Sequence, residues 1–239
     1  EYSAVPGGSG TAVEEPIPAL AQEIGLTLIA YEPLARGENK VITLDVNLNT
    51  YSHEMSANGG FDKMSVTLSD DRISLDDWIE QGIGRHMEVY NYAGTLVWEG
   101  FVNVVSGSMG GYKVSVGPLM DVGNRVSVAY APVDTSFSPP LIGETTVTTV
   151  ADDSESQDRF GIIEKVVNGG RLTSTEATLV RDTYLIENAY PATESEFAIG
   201  GSDSPSITLE CLGYWYWTNC YVYNDTDSGT IQVDERIPD

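Results

Sequence analysis

The residue types that most often carry chemistry are few in this chain, and they do not form a known catalytic pattern. The only histidines are His53 and His86, and neither lies in the H-E-x-x-H spacing of a zinc protease helix. Metal binding needs a cluster of ligands that the sequence around them does not offer. We therefore expect each histidine to be hydrogen-bonded within the fold or to face solvent. The sequence predicts no metal site and no cofactor.

Adjacent carboxylates recur along the chain, and such pairs supply the acid and the base of many glycosidases. Turn chemistry and the favourable position of an acid at the start of a helix explain them more simply. We therefore predict that the protein is not an enzyme. The pairs are Asp70 with Asp71, Asp76 with Asp77, and Asp152 with Asp153.

Residues 224–229, N-D-T-D-S-G, suggest part of a calcium-binding loop and also begin with a glycosylation sequon. The glycine falls one place early for such a loop, and Arg236 stands where a bidentate glutamate is needed. A hairpin turn is the better prediction. The two cysteines, Cys211 and Cys220, either form one bridge or remain free as small apolar residues, and both alternatives stay open.

A run of aromatic residues near the end of the chain is the strongest candidate for a contact surface. If it forms a strand, Trp215 and Trp217 share one face while Tyr214 and Tyr216 share the other. A pair of tryptophans on one face suits sugar stacking, which makes a secreted carbohydrate-binding β module the alternative function. Tryptophan and tyrosine are also enriched at subunit interfaces. We favour the interpretation that these four residues form core or subunit contacts.

One long amphipathic helix is predicted at residues 173–188. Thr173 and Glu176 have the spacing of a capping box, and Pro191 ends the segment. Ala177, Val180 and Tyr184, with Leu179 and Leu185 beside them, form an apolar stripe that predicts docking on a sheet. A shorter helix is expected to begin at Ser74 and to end at Gly82 or Gly84.

The remaining pattern is that of strands, which alternate apolar and polar residues and are separated by glycine turns. Examples are Ile42, Leu44, Val46 and Leu48. Turns are expected at Ala93-Gly94, Gly110-Gly111 and Gly123-Asn124. We predict a mainly β fold of antiparallel, barrel-like domains with one connecting amphipathic helix. The predicted division is a linker or N-terminal arm at 1–25, a first β domain (a meander barrel) at 26–134, and a second β region at 135–239 that includes the helix at 173–188.

The chain is strongly acidic, with 36 acidic and 12 basic residues and a net charge of −24 over 239 residues. The acidic residues are spread through strand-like segments, which is typical of the surface of a folded protein. A charge of this size disfavours binding to nucleic acid or to an anionic membrane. No apolar run is long enough for a membrane helix, so no membrane insertion is expected.

Several segments follow one another in a recognisable order and spacing between about Val41 and Val233. In chain order they are G-F-D-K-M-S-V-T-L, R-H-M-E-V-Y, V-W-E-G-F-V-N-V-V, G-P-L-M-D-V-G-N-R-V-S-V-A-Y, D-S-E-S-Q-D-R-F-G-I-I-E, A-T-L-V-R-D-T-Y-L and I-T-L-E-C-L-G-Y-W. This order resembles that of the tail hub, baseplate or minor tail proteins of long-tailed bacteriophages. Phe160 stands where that pattern has tyrosine, and such chains usually continue past the position of Ile237.

The resemblance implies barrel-like domains of the tail-tube type, assembled as a homo-oligomeric ring, trimeric or hexamer-like, in the virion tail. It implies contacts with other tail proteins and no catalysis. The genome would pass through the ring without being bound specifically, and an acidic surface suits that role because it repels phosphate.

Overall fold

The computed structural model describes residues 25–33, 41–42, 47–57, 60–69, 72–197 and 204–220. The described chain is mainly β, as predicted, with strands in two sheets and three α-helices packed against them. No helix among these residues is both long and apolar enough to span a membrane. The predicted arm up to residue 24, the Asp70-Asp71 pair, the turn at 224–229 and the strands expected after Cys220 lie outside the described residues.

The strands and helices have the following bounds. The strands are β1 Leu26–Tyr31, β2 Val41–Ile42, β3 Asn47–Ser56, β4 Gly60–Ser69, β5 His86–Asn91, β6 Leu96–Met109, β7 Tyr112–Val116, β8 Arg125–Asp134, β9 Leu141–Ile142, β10 Thr146–Val147, β11 Ala151–Asp152, β12 Glu164–Leu172, β13 Thr193–Phe197 and β14 Ser206–Leu212. The helices are α1 Arg72–Gln81, α2 Ser154–Phe160 and α3 Ser174–Asn188, with 3-10 turns at Leu119–Asp121 and Tyr214–Cys220.

The larger sheet is antiparallel and curls into a half-barrel. Its strand order is β2-β1-β5-β6-β14-β4-β3, and β7 pairs with both β6 and β13. Two of the predicted glycine turns are confirmed, because Gly94 joins β5 to β6 with φ of 73° and Gly110 joins β6 to β7 with φ of 58°. Only glycine takes up these left-handed angles at little cost. Strands β5, β6 and β7 therefore form the expected meander.

The core lies on the inner face of this half-barrel, where alternate residues of neighbouring strands are fully buried. Met87 and Val89 of β5 lie beside Trp98 of β6, and α1 adds Trp78 to the same cluster. Burial of each such side chain contributes about 1.5–3 kcal/mol. Helix α1 begins at Arg72, two residues before the predicted start, and ends where the Gly82 amide donates to the Trp78 carbonyl over 2.8 Å.

The smaller sheet is built around β8 and departs from the antiparallel prediction. Strand β12 pairs with β8 in parallel, while β9, β10 and β11 pair with it antiparallel. A parallel pair needs a long crossover connection, and residues 135–163, which include α2, supply it.

The two sheets do not divide the chain at residue 134. Strand β8 lies before that point and pairs with strands that follow it, whereas β13 and β14 return to the larger sheet. Strand β14 even lies between β6 and β4. The sheets are therefore interleaved along the sequence.

Helix α3 has the predicted start, because the hydroxyl of Thr173 accepts from the Glu176 amide and the Glu176 carboxylate accepts from the Thr173 amide. Its apolar stripe covers the smaller sheet, with Ala177 fully buried against Val128 and Tyr130. Leu179 does not belong to this face, since 66% of it is exposed.

The predicted hairpin turn at Gly123-Asn124 is wrong, because β7 and β8 belong to different sheets. Asn124 is instead fully buried where the chain leaves the larger sheet for the smaller one. Its side-chain amide donates to the Gly161 carbonyl over 2.7 Å and to the Ser156 hydroxyl, and its Oδ1 accepts from the Ile163 amide over 2.7 Å. Its backbone carbonyl accepts from Asp153. One residue thus holds the start of β8, both ends of α2 and the approach to β12.

Replacement of Asn124 by alanine is expected to destabilise the protein by about 3 kcal/mol or more, because buried partners at Gly161 and Ile163 lose their hydrogen bonds and each such loss costs about 1–3 kcal/mol. The matched control is Asn168→Ala, which removes an exposed side chain whose Oδ1 accepts from the Gly170 amide over 3.1 Å. Urea denaturation measures both. A similar loss at the two positions would contradict this role of Asn124.

Thr173→Ala is expected to destabilise the protein by about 1 kcal/mol because the alanine cannot satisfy the Glu176 amide. Thr175→Ala, in the exposed first turn of the same helix, is the control and should cost less. Midpoints of denaturant unfolding at unchanged slope provide the comparison. Equal losses would argue against the capping box as the source of the effect.

Candidate functional site

A cluster of polar and titratable side chains lies on the outer face of the half-barrel. His86, Glu88 and Tyr90 alternate along β5, so they point away from the core face that holds Met87 and Val89. The register places Tyr31 of β1 opposite His86. It places Glu99 of β6 opposite Glu88. The cluster is therefore assembled from three adjacent strands.

The imidazole of His86 lies at the centre of this cluster and is almost fully buried. Its Nδ1 is 2.5 Å from the hydroxyl of Tyr214, and its Nε2 is 3.2 Å from Oε1 of Glu88. The Nε2 atom is also 3.9 Å from Oε1 of Glu99. His86 is thus hydrogen-bonded within the fold, which is one of the two outcomes expected from the sequence. His53 lies on the edge strand β3 and is exposed.

The two glutamates of the cluster have different surroundings. The second oxygen of Glu88, Oε2, accepts from the hydroxyls of Tyr31 over 2.9 Å and Tyr90 over 2.8 Å. Glu99 receives no hydrogen bond from the residues that the structure describes, and its Oε1 lies 3.9 Å from Nε2 of His86. Like charges directly opposite each other on neighbouring strands are destabilising. Glu99 is therefore the less stabilised of the two carboxylates.

The pKa values of these groups follow from the same contacts. Partial burial alone would raise the pKa of Glu88, but hydrogen bonds from Tyr90, His86 and Tyr31 outweigh it and hold that pKa below its ordinary value. Burial raises the pKa of Glu99, nearby His86 only partly offsets this, and the charge of Glu88 adds to the rise. Burial and the bond to Glu88 raise the pKa of Tyr90 to about 12.

The aromatic run 214–217 forms a 3-10 turn and not the predicted strand, so the alternation of faces expected for it is wrong. The reason lies at Gly213, where the chain passes so close to β4 that an added Cβ would be 2.0 Å from the Phe61 carbonyl oxygen. The Gly213 amide donates to the Asp62 carbonyl there, and the Tyr216 amide then donates back to Gly213. Strand β14 therefore ends at Leu212.

This turn folds over the outer face of the sheet and closes one side of the polar cluster. The ring of Tyr214 stacks on His86 with centroids 5.6 Å apart, and Trp217 meets Phe101 edge to face at 5.0 Å. The hydroxyl of Tyr216 donates to Asp62 over 2.6 Å. Tyr214, Tyr216 and Trp217 thus pack against the core cluster.

Trp215 differs from the other three aromatic residues because 60% of it is exposed. Trp217 packs on Phe101, so the two tryptophans do not present one shared face. The paired stacking platform on which the carbohydrate-binding alternative depends is not formed.

The other residues singled out from the sequence have structural contacts. Asp77 accepts from Arg85 over 2.7 Å, Asp152 accepts from Arg125 over 2.8 Å, and Asp153 caps α2. Thr173 and Glu176 lie at the start of α3, which packs on the smaller sheet. Cys211 is a free, buried thiol.

Sequence reasoning missed the cluster at His86 because its members come from separate parts of the chain. The local signal was the alternation His86, Met87, Glu88 in a strand, which places the first and third side chains on one face. Glu99 and Tyr31 join them only through strand register, and Tyr214 only through the turn that follows β14.

Comparison of the chain with models of protein families, with curated proteins and with solved structures finds no match. Nε2 of His86 and one oxygen each from Glu88 and Glu99 all lie within 4.8 Å of one another. Imidazole nitrogen and carboxylate oxygen are ligands for divalent metals, and within the part of the chain that the structure describes these three residues have the placement to hold such an ion.

Trp217→Ala is expected to destabilise the protein by about 2 kcal/mol, below the ~3–5 kcal/mol of a fully buried tryptophan because Trp217 is half-buried. Trp215→Ala is the matched control and should change stability by about 0.5 kcal/mol or less. Urea midpoints at unchanged slope compare the two. If Trp215→Ala cost as much as Trp217→Ala, the packing described for the turn would be wrong.

Proposed function

We propose that this protein is a structural component of a bacteriophage tail that assembles as a ring around the DNA channel. The order of sequence segments between Val41 and Val233 supports a tail hub, baseplate or distal tail role. The mainly β fold with a curled antiparallel sheet is compatible with that class. In this proposal the protein acts in the virion through subunit contacts and performs no catalysis.

The observation that carries the proposal is an exposed apolar segment at the edge of the smaller sheet. Strands β9 and β10 run along β8, and no other described strand pairs with them. Exposed apolar side chains concentrate here, between the end of β8 and the start of α2. They are Phe137, Leu141, Ile142, Val147 and Val150.

Such a segment offers both contacts that a subunit interface needs. Apolar side chains exposed together mark interaction sites, and an unpaired strand edge presents backbone groups to a neighbouring chain. A second copy of this chain is the proposed neighbour, because closed rings form when one surface of each copy binds a different surface of the next.

The charge of the protein determines which forces can hold such a ring. Copies that each carry −24 repel one another, so apolar and main-chain contacts must provide the attraction. The same charge repels phosphate, which lets DNA pass through a channel without being bound. The acidic charge therefore opposes assembly of the ring and favours the passage of DNA through it.

Sedimentation velocity across a salt series tests this proposal. The Debye length falls from about 10 Å at 0.1 M salt to about 3 Å at 1 M, so higher salt should screen the repulsion and favour the ring. Duplex DNA should not co-sediment even at low salt, and negative-stain images should show rings. A ring that dissociates as salt rises, co-sedimentation with DNA, or a monomer at every salt and protein concentration would contradict the proposal.

A matched pair of variants tests the edge segment itself. Leu141→Gln with Ile142→Gln removes two exposed apolar side chains there, and we expect assembly to weaken by about tenfold or more. Leu179→Gln with Ile186→Gln makes the same changes on the exposed face of α3, with the same net charge. Equal effects of the two pairs, with rings still forming in the unmodified protein, would place the contact elsewhere.

A further inference from the structure

The polar cluster on the outer face of the half-barrel has the form of a metal site. From its geometry we infer that His86, Glu88 and Glu99 bind one divalent transition-metal cation of the Zn²⁺ class. The inference does not depend on the proposed tail function, since it rests only on these side chains and their neighbours.

The ligand atoms are close to the spacing that such an ion requires. A tetrahedral ion with bonds of about 2.0–2.1 Å holds its ligand atoms about 3.3 Å apart. Nε2 of His86 is 3.2 Å from Oε1 of Glu88 and 3.9 Å from Oε1 of Glu99. A change in the side-chain torsions of Glu99 is enough to complete the set, because no described residue holds its carboxylate in place.

The surrounding tyrosines fix the orientation of two of the ligands. Metal-binding histidines use their other ring nitrogen in a hydrogen bond, and here Nδ1 of His86 contacts the Tyr214 hydroxyl. Tyr31 and Tyr90 both donate to Oε2 of Glu88, which leaves Oε1 directed towards His86. The second layer of contacts found around metal sites is therefore present.

The ligand types and their exposure indicate the class of ion and its access. A nitrogen ligand from imidazole suits Zn²⁺ and related transition metals, whereas Ca²⁺ and Mg²⁺ prefer oxygen. The side chains of Glu88 and Glu99 are 19% and 21% exposed, so the ion can enter from solvent. Three protein ligands leave a fourth position for water. Cation entry is also favoured by the acidic surface of the chain.

Zinc titration of the purified 239-residue chain, prepared without a histidine tag and treated with a chelator, tests the inference. Isothermal titration with ZnCl₂ should give one site per chain. Co²⁺ should occupy the same site and give the intense visible absorption of a tetrahedral complex. Tyr214→Phe keeps the stacked ring but removes the contact to Nδ1, and we expect it to lower Zn²⁺ affinity by about tenfold.

Variants of the ligands and matched controls separate this site from general attraction to an acidic protein. Glu99→Gln and His86→Gln should each weaken Zn²⁺ binding by more than the tenfold expected for Tyr214→Phe. Glu210→Gln, an exposed change of equal charge on β14, and His53→Gln, which removes the other histidine, should leave it unchanged. Glu99→Gln removes one ligand without breaking a hydrogen bond of the described residues, because the Glu99 carboxylate accepts none from them. A loss of Zn²⁺ binding in this variant therefore cannot be attributed to a disturbed fold around His86.

Two results would overturn the inference. One is the absence of saturable Zn²⁺ binding by the unmodified chain. The other is binding that weakens equally in Glu99→Gln and Glu210→Gln, which would show that the ion responds to overall charge.

Discussion

The rest of the structure depends on the buried amide of Asn124. Its hydrogen bonds to Ser156, Gly161 and Ile163 hold α2 and the approach to β12 against the point where β8 begins. Phe160 and Ile163, which this network fixes, belong to the core cluster of the larger sheet. The two sheets therefore share a core region that forms only when these polar groups are paired, because unpaired buried polar groups are costly. A polar residue thus sets the geometry of apolar packing.

Local features of this fold were predictable from the sequence, and non-local ones were not. The capping box at Thr173 and the glycine turns at Gly94 and Gly110 depend on neighbouring residues alone. The insertion of β14 between β6 and β4 and the parallel pairing of β12 with β8 depend on crossovers that no local pattern encodes. The strand predicted for residues 214–217 was wrong for the same reason, because the close approach of Gly213 to Phe61 ends β14 before these residues.

In the candidate site, too, the sequence predicts what depends on neighbouring residues and not what depends on distant ones. Alternation along β5 is enough to place His86 and Glu88 on one face, and this part was available from the sequence. The position of Glu99 opposite Glu88 follows from the register of β5 and β6. That register shifts by one residue between Val89 and Tyr90, so alternation alone does not give it. Tyr214 lies 128 residues from His86 in the chain, and its position depends on how the turn docks. A search for ligands near one another in sequence cannot find such a set.

A bound cation at His86 would act locally and would not change the balance of forces between copies of the chain. Its two positive charges are small against a net charge of −24. At short range the balance is different, because Glu88 and Glu99 lie opposite each other on adjacent strands, with Nε2 of His86 3.2 Å from Oε1 of Glu88 and 3.9 Å from Oε1 of Glu99. A divalent ion bound by both carboxylates would remove the repulsion between Glu88 and Glu99. Because Tyr214 contacts His86, the ion would also stabilise the packing of the turn after β14 on the outer face of β5. In the proposed ring, assembly would still depend on apolar contacts at the sheet edge, so the proposed metal binding and the proposed assembly can be tested separately.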